Sequence, residues 1–236
     1  MSREPYKLTV LLSSMVLRIG HRGAAGHEPE NTLLSLNKAV ELGCDLTEID
    51  VQLCASGDVV VIHDDMVDRT TDGTGEVSEL SLDELKSLDS GKGERVPTLN
   101  EVLFSLKGLI SLNIELKGQG TPEPVFEIIE GSGWSPDDLV FTSFDWNLLD
   151  EYRELDPEAR LGPLAHVNIF HAARFASKID AYCVNPFHNL CSRSFVGKAH
   201  KRGLKVYPWI VNELIDIEKM KNVGVDGIIS DYPDRV

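Results

Sequence analysis

Two stretches of alternating sequence set acids side by side. In Thr47-Glu48-Ile49-Asp50-Val51, strand geometry sends Glu48 and Asp50 to one face and Ile49 and Val51 to the other. Leu112-Asn113-Ile114-Glu115-Leu116-Lys117 repeats the arrangement, with Asn113, Glu115 and Lys117 sharing a face. The apolar residues suit packing under helices, which leaves three carboxylates pointing into an interior. Three inward carboxylates cannot all stay ionised without a counter-charge. A hard divalent cation with oxygen ligands would supply it, and an ion pair between Lys117 and one acid is the plainer alternative. Gly20-His21-Arg22-Gly23 and Val61-Ile62-His63-Asp64 each end an apolar run in a histidine. Imidazoles titrate near neutral pH, so one can take a proton while the other gives one. Arg22 and Lys117 are the cations expected at the same rim, where they suit a phosphate oxygen. Metal, two proton carriers and phosphate donors together describe phosphoryl transfer or phosphodiester hydrolysis. The other histidines carry no assignment, although His188 is the one expected to line the pocket.

Such side chains need a scaffold. Apolar runs predict strands at 17–20, 46–53, 110–116, 139–143, 159–164, 180–185, 205–210 and 226–230, with helical spacing between most of them. Leu33, Leu36 and Val40 form one helical face, stopped by Gly43; Phe195, Val196 and Ala199 form another, stopped by Gly203. Eight strands with helical crossovers predict an α/β fold of the TIM (β/α)8 barrel type. A doubly wound sheet is the alternative, but no G-x-G-x-x-G follows the first strand. Val59-Val60-Val61-Ile62 is a ninth strand, and Ser56-Gly57-Asp58 before it is too short for a parallel crossover. It must fold back on the second strand as an antiparallel hairpin, leaving 64–97 as a polar insertion on the catalytic side. No linker or second core is evident, so residues 1–236 read as a single domain, with 1–14 as an N-terminal extension. The chain stops where an eighth helix is due, so a short or missing final helix is expected. The apolar segment 5–14 is then expected to cover Ile228 and Ile229 near the gap between first and last strands.

Composition excludes several function classes. Thirty-eight acids against 23 bases give a net charge of -15. That disfavours nucleic acid and anionic membranes, both of which are bound largely through Lys and Arg. No stable membrane association is expected, and the oligomeric state is not encoded in any motif. The four cysteines show no C-x-x-C spacing. The apolar run from Leu8 to Leu17 is too short to span a bilayer and lacks a cleavage signal, so a cytoplasmic location is expected.

The residues also carry a family resemblance. His21-Arg22-Gly23, Pro29-Glu30-Asn31-Thr32, Glu48-Ile49-Asp50-Val51, His63-Asp64, Asp68 to Gly75, Pro97-Thr98-Leu99, Glu115-Leu116-Lys117, Ser143-Phe144, Trp209 to Asn212 and Asp226 to Pro233 occur in one order. In that order they resemble the glycerophosphodiester phosphodiesterase family, a TIM barrel with a small insertion after the second strand. The resemblance implies His21 and His63 as the paired acid and base without fixing which is which; the working assignment has His21 take the proton of the attacking hydroxyl and His63 protonate the leaving alcohol. It implies Glu48, Asp50 and Glu115 as ligands of one divalent cation, Mg²⁺ or Ca²⁺. It gives Arg22 and Lys117 to the phosphate and Trp209 to the glycerol pocket. The substrate implied is a small-molecule glycerophosphodiester, cleaved to an alcohol and sn-glycerol 3-phosphate through a cyclic phosphate. A phospholipase D-type hydrolase acting on lysophospholipids, or a catalytically silent phosphodiester-binding barrel, are the alternatives. The former needs an exposed apolar rim, whereas Leu80, Leu82, Leu85 and Leu88 of the insertion are expected to pack inward. Ser143 is expected in the pocket wall. Cys54 to Asp58 departs from the family's usual threonine and Asp-Gly turn at the hairpin tip.

Overall fold

The computed structural model describes residues 16–236. Its strands are β1 (Leu17–Gly20), β2 (Leu46–Leu53), β3 (Val59–Val61), β4 (Ser111–Leu116), β5 (Leu139–Ser143), β6 (Leu161–Ala165), β7 (Cys183–Pro186), β8 (Lys205–Val206) and β9 (Gly227–Ser230). All but β3 are parallel and lie in the order β8-β7-β6-β5-β4-β2-β1-β9. Backbone bonds from Asp226 to Val206 (3.1 Å) and from Ile229 to Pro208 (3.0 Å) join the two ends. The result is a (β/α) barrel. β8 is shorter than the expected 205–210 because Pro208 has no N–H to offer. Pairing with β7 resumes beyond it as a bridge between Phe187 and Trp209.

Helices follow the strands: α1 (Leu33–Glu41), α2 (Leu82–Ser87), α3 (Leu99–Leu106), α4 (Pro122–Ser132), α5 (Trp146–Leu155), α6 (Ile169–Lys178), α7 (Arg193–His200) and α8 (Leu214–Val223). The Thr32 hydroxyl caps α1 by accepting from Ser35 N, a contact that typically contributes about 1 kcal/mol. Strand alternation sorts the core into two layers. Ile49, Val51, Leu112, Ile114 and Ile228 pack outward under the helices, while Ile19, Leu46, Val140, Tyr207 and Ile229 fill the barrel. Ile228 and Ile229 therefore face opposite ways, and only Ile228 needs an outer cover. A single 3-10 turn, Pro233–Arg235, follows β9, and Val236 joins the outer layer beside Ile228. The expected cover from residues 5–14 lies outside the described residues.

β3 runs antiparallel to β2, with Val51 opposite Val61, as the short turn required. The insertion has a small apolar cluster of its own, which the sequence reading missed. Leu85 is buried there with Val60, Ile62, Val67, Val77 and Val96, and Leu80, Leu82 and Leu88 pack against them. Those leucines thus point inward. The hairpin tip is tied to the insertion as well, since Leu82 N donates to Ser56 Oγ at 3.1 Å.

Candidate active site

The register of β2 on β4 builds the acidic centre. Glu48 sits beside Asn113 and Asp50 beside Glu115, so all three acids face the barrel at its C-terminal rim. Glu48, Asp50 and Glu115 are all buried, and each offers an oxygen within 4.8 Å of the others. Burial, together with the charges of Asp50 and Glu115, pushes the Glu48 pKa well above the carboxylate range. Burial and Asp50 push Glu115 up to about 7, against the pull of Lys117. Asp50 Oδ1 is buried without a hydrogen-bond partner, a costly arrangement that an ion would relieve. An all-oxygen donor set with an orphaned carboxylate oxygen fits a hard divalent cation.

Neighbouring side chains hold this centre in place. Arg22 occupies the left-handed region at φ 50, which turns its N–H onto Glu48 Oε2 at 2.9 Å. Strain of this kind persists where surrounding contacts over-determine it. Gly23, at φ +87, lies where a Cβ would meet Ser35 of α1 at 2.3 Å; only glycine fits. The Arg22 guanidinium donates to Glu30 (2.6 Å) and lies 3.4 Å from Asp50. Asn31 Nδ2 donates to Asp50 Oδ2 at 2.8 Å. Lys117 Nζ donates to Glu115 at 3.1 Å and lies 3.8 Å from Asp50. Lys117 thus pairs with the acids, the plainer of its two expected roles.

Each histidine is anchored through Nδ1, but the anchors differ. His21 meets Asp231 at 2.6 Å, and the other Asp231 oxygen accepts from the neutral amide of Asn212, at 2.6 Å. Burial opposes the Asp231 charge, yet His21 and Asn212 hold its pKa below the ordinary value. His63 meets Asp64 at 2.5 Å, and Asp64 also accepts two bonds from Arg69. Arg69 continues to Glu30, which closes a chain back to Arg22. Burial lowers the His63 pKa, and the nearby carboxylates do not restore it.

Both histidines line one cavity of about 420 Å³ with Arg22, Glu48, Asn113, Glu115, Thr142, Phe144, Leu164, Trp209, Ile210 and Ile229. Asp50 and Lys117 stand behind that lining. Trp209 is fixed by its indole N–H, which donates to Asn185 O at 2.8 Å, and meets Phe144 edge-on at 5.2 Å. Two expectations need correction. His188 lies outside the lining, because the 3-10 turn His188–Leu190 carries it past the rim. Ser143 is buried and donates to Leu116 O at 2.8 Å, so the wall residue is Phe144. The supporting residues Glu30, Asn31, Asp64, Arg69, Asn212 and Asp231 received no role from the sequence. All stand within the quoted motifs, which was the only signal available.

A profile of the Glycerophosphoryl diester phosphodiesterase family matches residues 21–235. The glycerophosphodiester phosphodiesterase of Caldanaerobacter subterraneus subsp. tengcongensis is 37% identical over 234 residues, covering 93% of this chain and 96% of its own. The solved phosphodiesterase of Oleispira antarctica, in complex with its product sn-glycerol 3-phosphate, superposes with a TM-score of 0.87. It is 32% identical, and the match covers 92% of this chain and 93% of that one. The glycerophosphodiester phosphodiesterase of Agrobacterium tumefaciens gives a TM-score of 0.84 at 28% identity, with 94% and 98% covered. The profile takes in the acidic centre, both histidines and their anchors, and full-length likeness accompanies it: the chain belongs to the glycerophosphoryl diester phosphodiesterase family.

Proposed function

We propose that this chain hydrolyses small-molecule glycerophosphodiesters to an alcohol and sn-glycerol 3-phosphate, with one Mg²⁺ or Ca²⁺ held by Glu48, Asp50 and Glu115. The observation that carries this reading is a buried carboxylate triad flanked, in one cavity, by two histidines each anchored to an aspartate. When bound, the cation supplies positive charge that polarises a phosphoryl oxygen and eases ionisation of an attacking hydroxyl. Arg22 lines the cavity for a phosphate oxygen, and Lys117 adds positive charge from behind. Phe144 and Trp209 form an apolar wall for the glycerol carbons.

The roles of the histidines follow from their anchors. Asp64 is already neutralised by Arg69, and burial keeps His63 neutral, so its free Nε2 is suited to accept the proton of the attacking hydroxyl. With His63 as base, His21, held through Nδ1 by Asp231, is left to give a proton to the leaving alcohol. This reverses the assignment expected from the sequence. The reading includes attack by the glycerol 2-hydroxyl and a cyclic phosphate, opened by water with the histidine roles exchanged. It also includes a cytoplasmic location, supported by four unpaired cysteines. Among the described residues no helix is long and apolar enough to cross a membrane.

The test is turnover of glycerophosphocholine with added Mg²⁺ or Ca²⁺, and of a 2-deoxyglycerol analogue. Hydrolysis lost in excess chelator supports the reading, and full activity in chelator defeats it. An analogue that binds without turnover supports the cyclic route, whereas equal turnover requires direct attack by water.

A further inference from the structure

We propose that the β5–β8 side of the barrel mouth docks on the surface of a zwitterionic phospholipid bilayer. Ten large apolar side chains are exposed among the described residues, and six of them follow the C-terminal ends of four consecutive strands. Phe144 follows β5; Val167 (63% exposed) and Phe170 (51%) follow β6; Leu190 follows β7; Leu214 (63%) and Ile215 (80%) follow β8. Apolar side chains gathered on one side in this way mark an interaction site rather than ordinary surface scatter.

The patch is continuous with the cavity. Phe144 contacts Trp209 at 5.2 Å, Trp209 contacts Phe187 at 5.5 Å, and Phe187 leads within its own loop to Leu190. Charge is sparse along these loops, which carry Asp145, Glu213 and Asp216 against Arg193. An open furrow lies in the adjoining wall between α6 and α7, with the small side chains of Ala173 and Ala199 in its lining. Arg174, Lys198 and Arg202 line it, and none of the three is ion-paired among the described residues. Lys198 Nζ rests instead over the exposed Phe170 ring at 5.0 Å. Phe170 beside the unpaired Lys198 suits the boundary between acyl chains and headgroup phosphates. A second copy of this chain is a poorer occupant, because two bodies of charge -15 repel. The same charge turns the surface toward zwitterionic rather than anionic lipid.

Cosedimentation of the full chain with phosphatidylcholine vesicles tests this. The wild type binds, and the double variant Leu214→Asp/Ile215→Asp and the single variant Val167→Asp each bind at least about tenfold more weakly. Their melting temperatures stay at the wild-type value, since these side chains are in water already. Phe104→Asp, at a position 91% exposed on α3 and away from the mouth, binds like wild type. The triple variant Arg174→Gln/Lys198→Gln/Arg202→Gln binds several-fold more weakly. The proposal is overturned if the wild type does not cosediment, or if the aspartate or glutamine variants bind like wild type. It is also overturned if sedimentation velocity without lipid shows self-association that the aspartate variants abolish, which would make the patch a contact between copies.

Discussion

Around one cavity, β1 to β4 and the residues just beyond them carry His21, Arg22, Glu48, His63 and Glu115, backed by Asp50 and Lys117, while β6 and the segments after β5 and β8 carry Leu164, Phe144 and Trp209. On the first side nearly every ionisable group is bonded to another: His63 to Asp64, Asp64 to Arg69, Arg69 to Glu30, Glu30 to Arg22. On the second side polar contacts are few, and apolar surface is left to water. The difference teaches where precision is needed. Buried charges are tolerable only in exact company, so they stand on or beside paired strands whose register is fixed. An apolar wall needs volume but no partner, so it can be assembled from loops.

The largest effects should come from breaking the charged side. His21→Ala and His63→Ala should each cut turnover by about 10²–10⁴-fold, the usual scale for acid–base catalysis, and the double variant should lose far less than the product of the two. Steady-state kinetics decides this, and near-normal turnover in either single variant would remove that residue from the mechanism. Glu48→Ala, Asp50→Ala and Glu115→Ala should each weaken cation binding, read directly by calorimetry.

The same side should also make stability depend on pH and on the cation. Without an ion, the folded protein holds protons on Glu48 and Glu115 that the unfolded chain releases near 4.5. Stability should therefore fall as pH rises from there toward about 7, where Glu115 titrates. Mg²⁺ or Ca²⁺ at a hundred times its dissociation constant should add about 2.7 kcal/mol, or roughly 5–10 °C in melting temperature. Melting curves at pH 5 and pH 7.5, with and without cation, would expose an incorrect sign.

On the apolar side the expected effects are smaller. Phe144→Ala and Trp209→Ala should raise KM by about 3–10-fold, since an aromatic contact of this kind contributes about 0.5–1.5 kcal/mol. A matching collapse of kcat would mean that the wall also aligns the reacting atoms. The smallest effect is on a pH profile. With His63 as base, the rising limb of kcat/KM should lie below imidazole's ordinary value, because burial lowers the His63 pKa. Arg69→Ala frees the charge of Asp64, stabilises protonated His63 and should move that limb to higher pH. A shift to lower pH would contradict the role given to Asp64.

Much of this site was legible in the chain because strand alternation is strict. Glu48 and Asp50, two residues apart, had to share a face, and Glu115 with Lys117 likewise. The turn before β3 was too short for a crossover, which fixed the hairpin and located the insertion. Turn and loop geometry was less legible. His188 missed the cavity because a 3-10 turn displaced it, and Ser143 spent its hydroxyl on the neighbouring strand's carbonyl.

The sequence by itself determined the barrel, its three inward carboxylates and the two histidines at strand ends, since periods of two and 3.6 are local properties of the chain. Only the tertiary structure decided which aspartate His21 meets. His21 and Asp231 are separated by most of the chain, yet lie 2.6 Å apart because β1 and β9 are paired neighbours. It also decided that Arg69 shares its charge with Asp64 while Asn212 brings none to Asp231, and that Leu214 and Ile215 stay in water beside the mouth. Such contacts depend on which strands become neighbours around a closed sheet, and no local pattern encodes that.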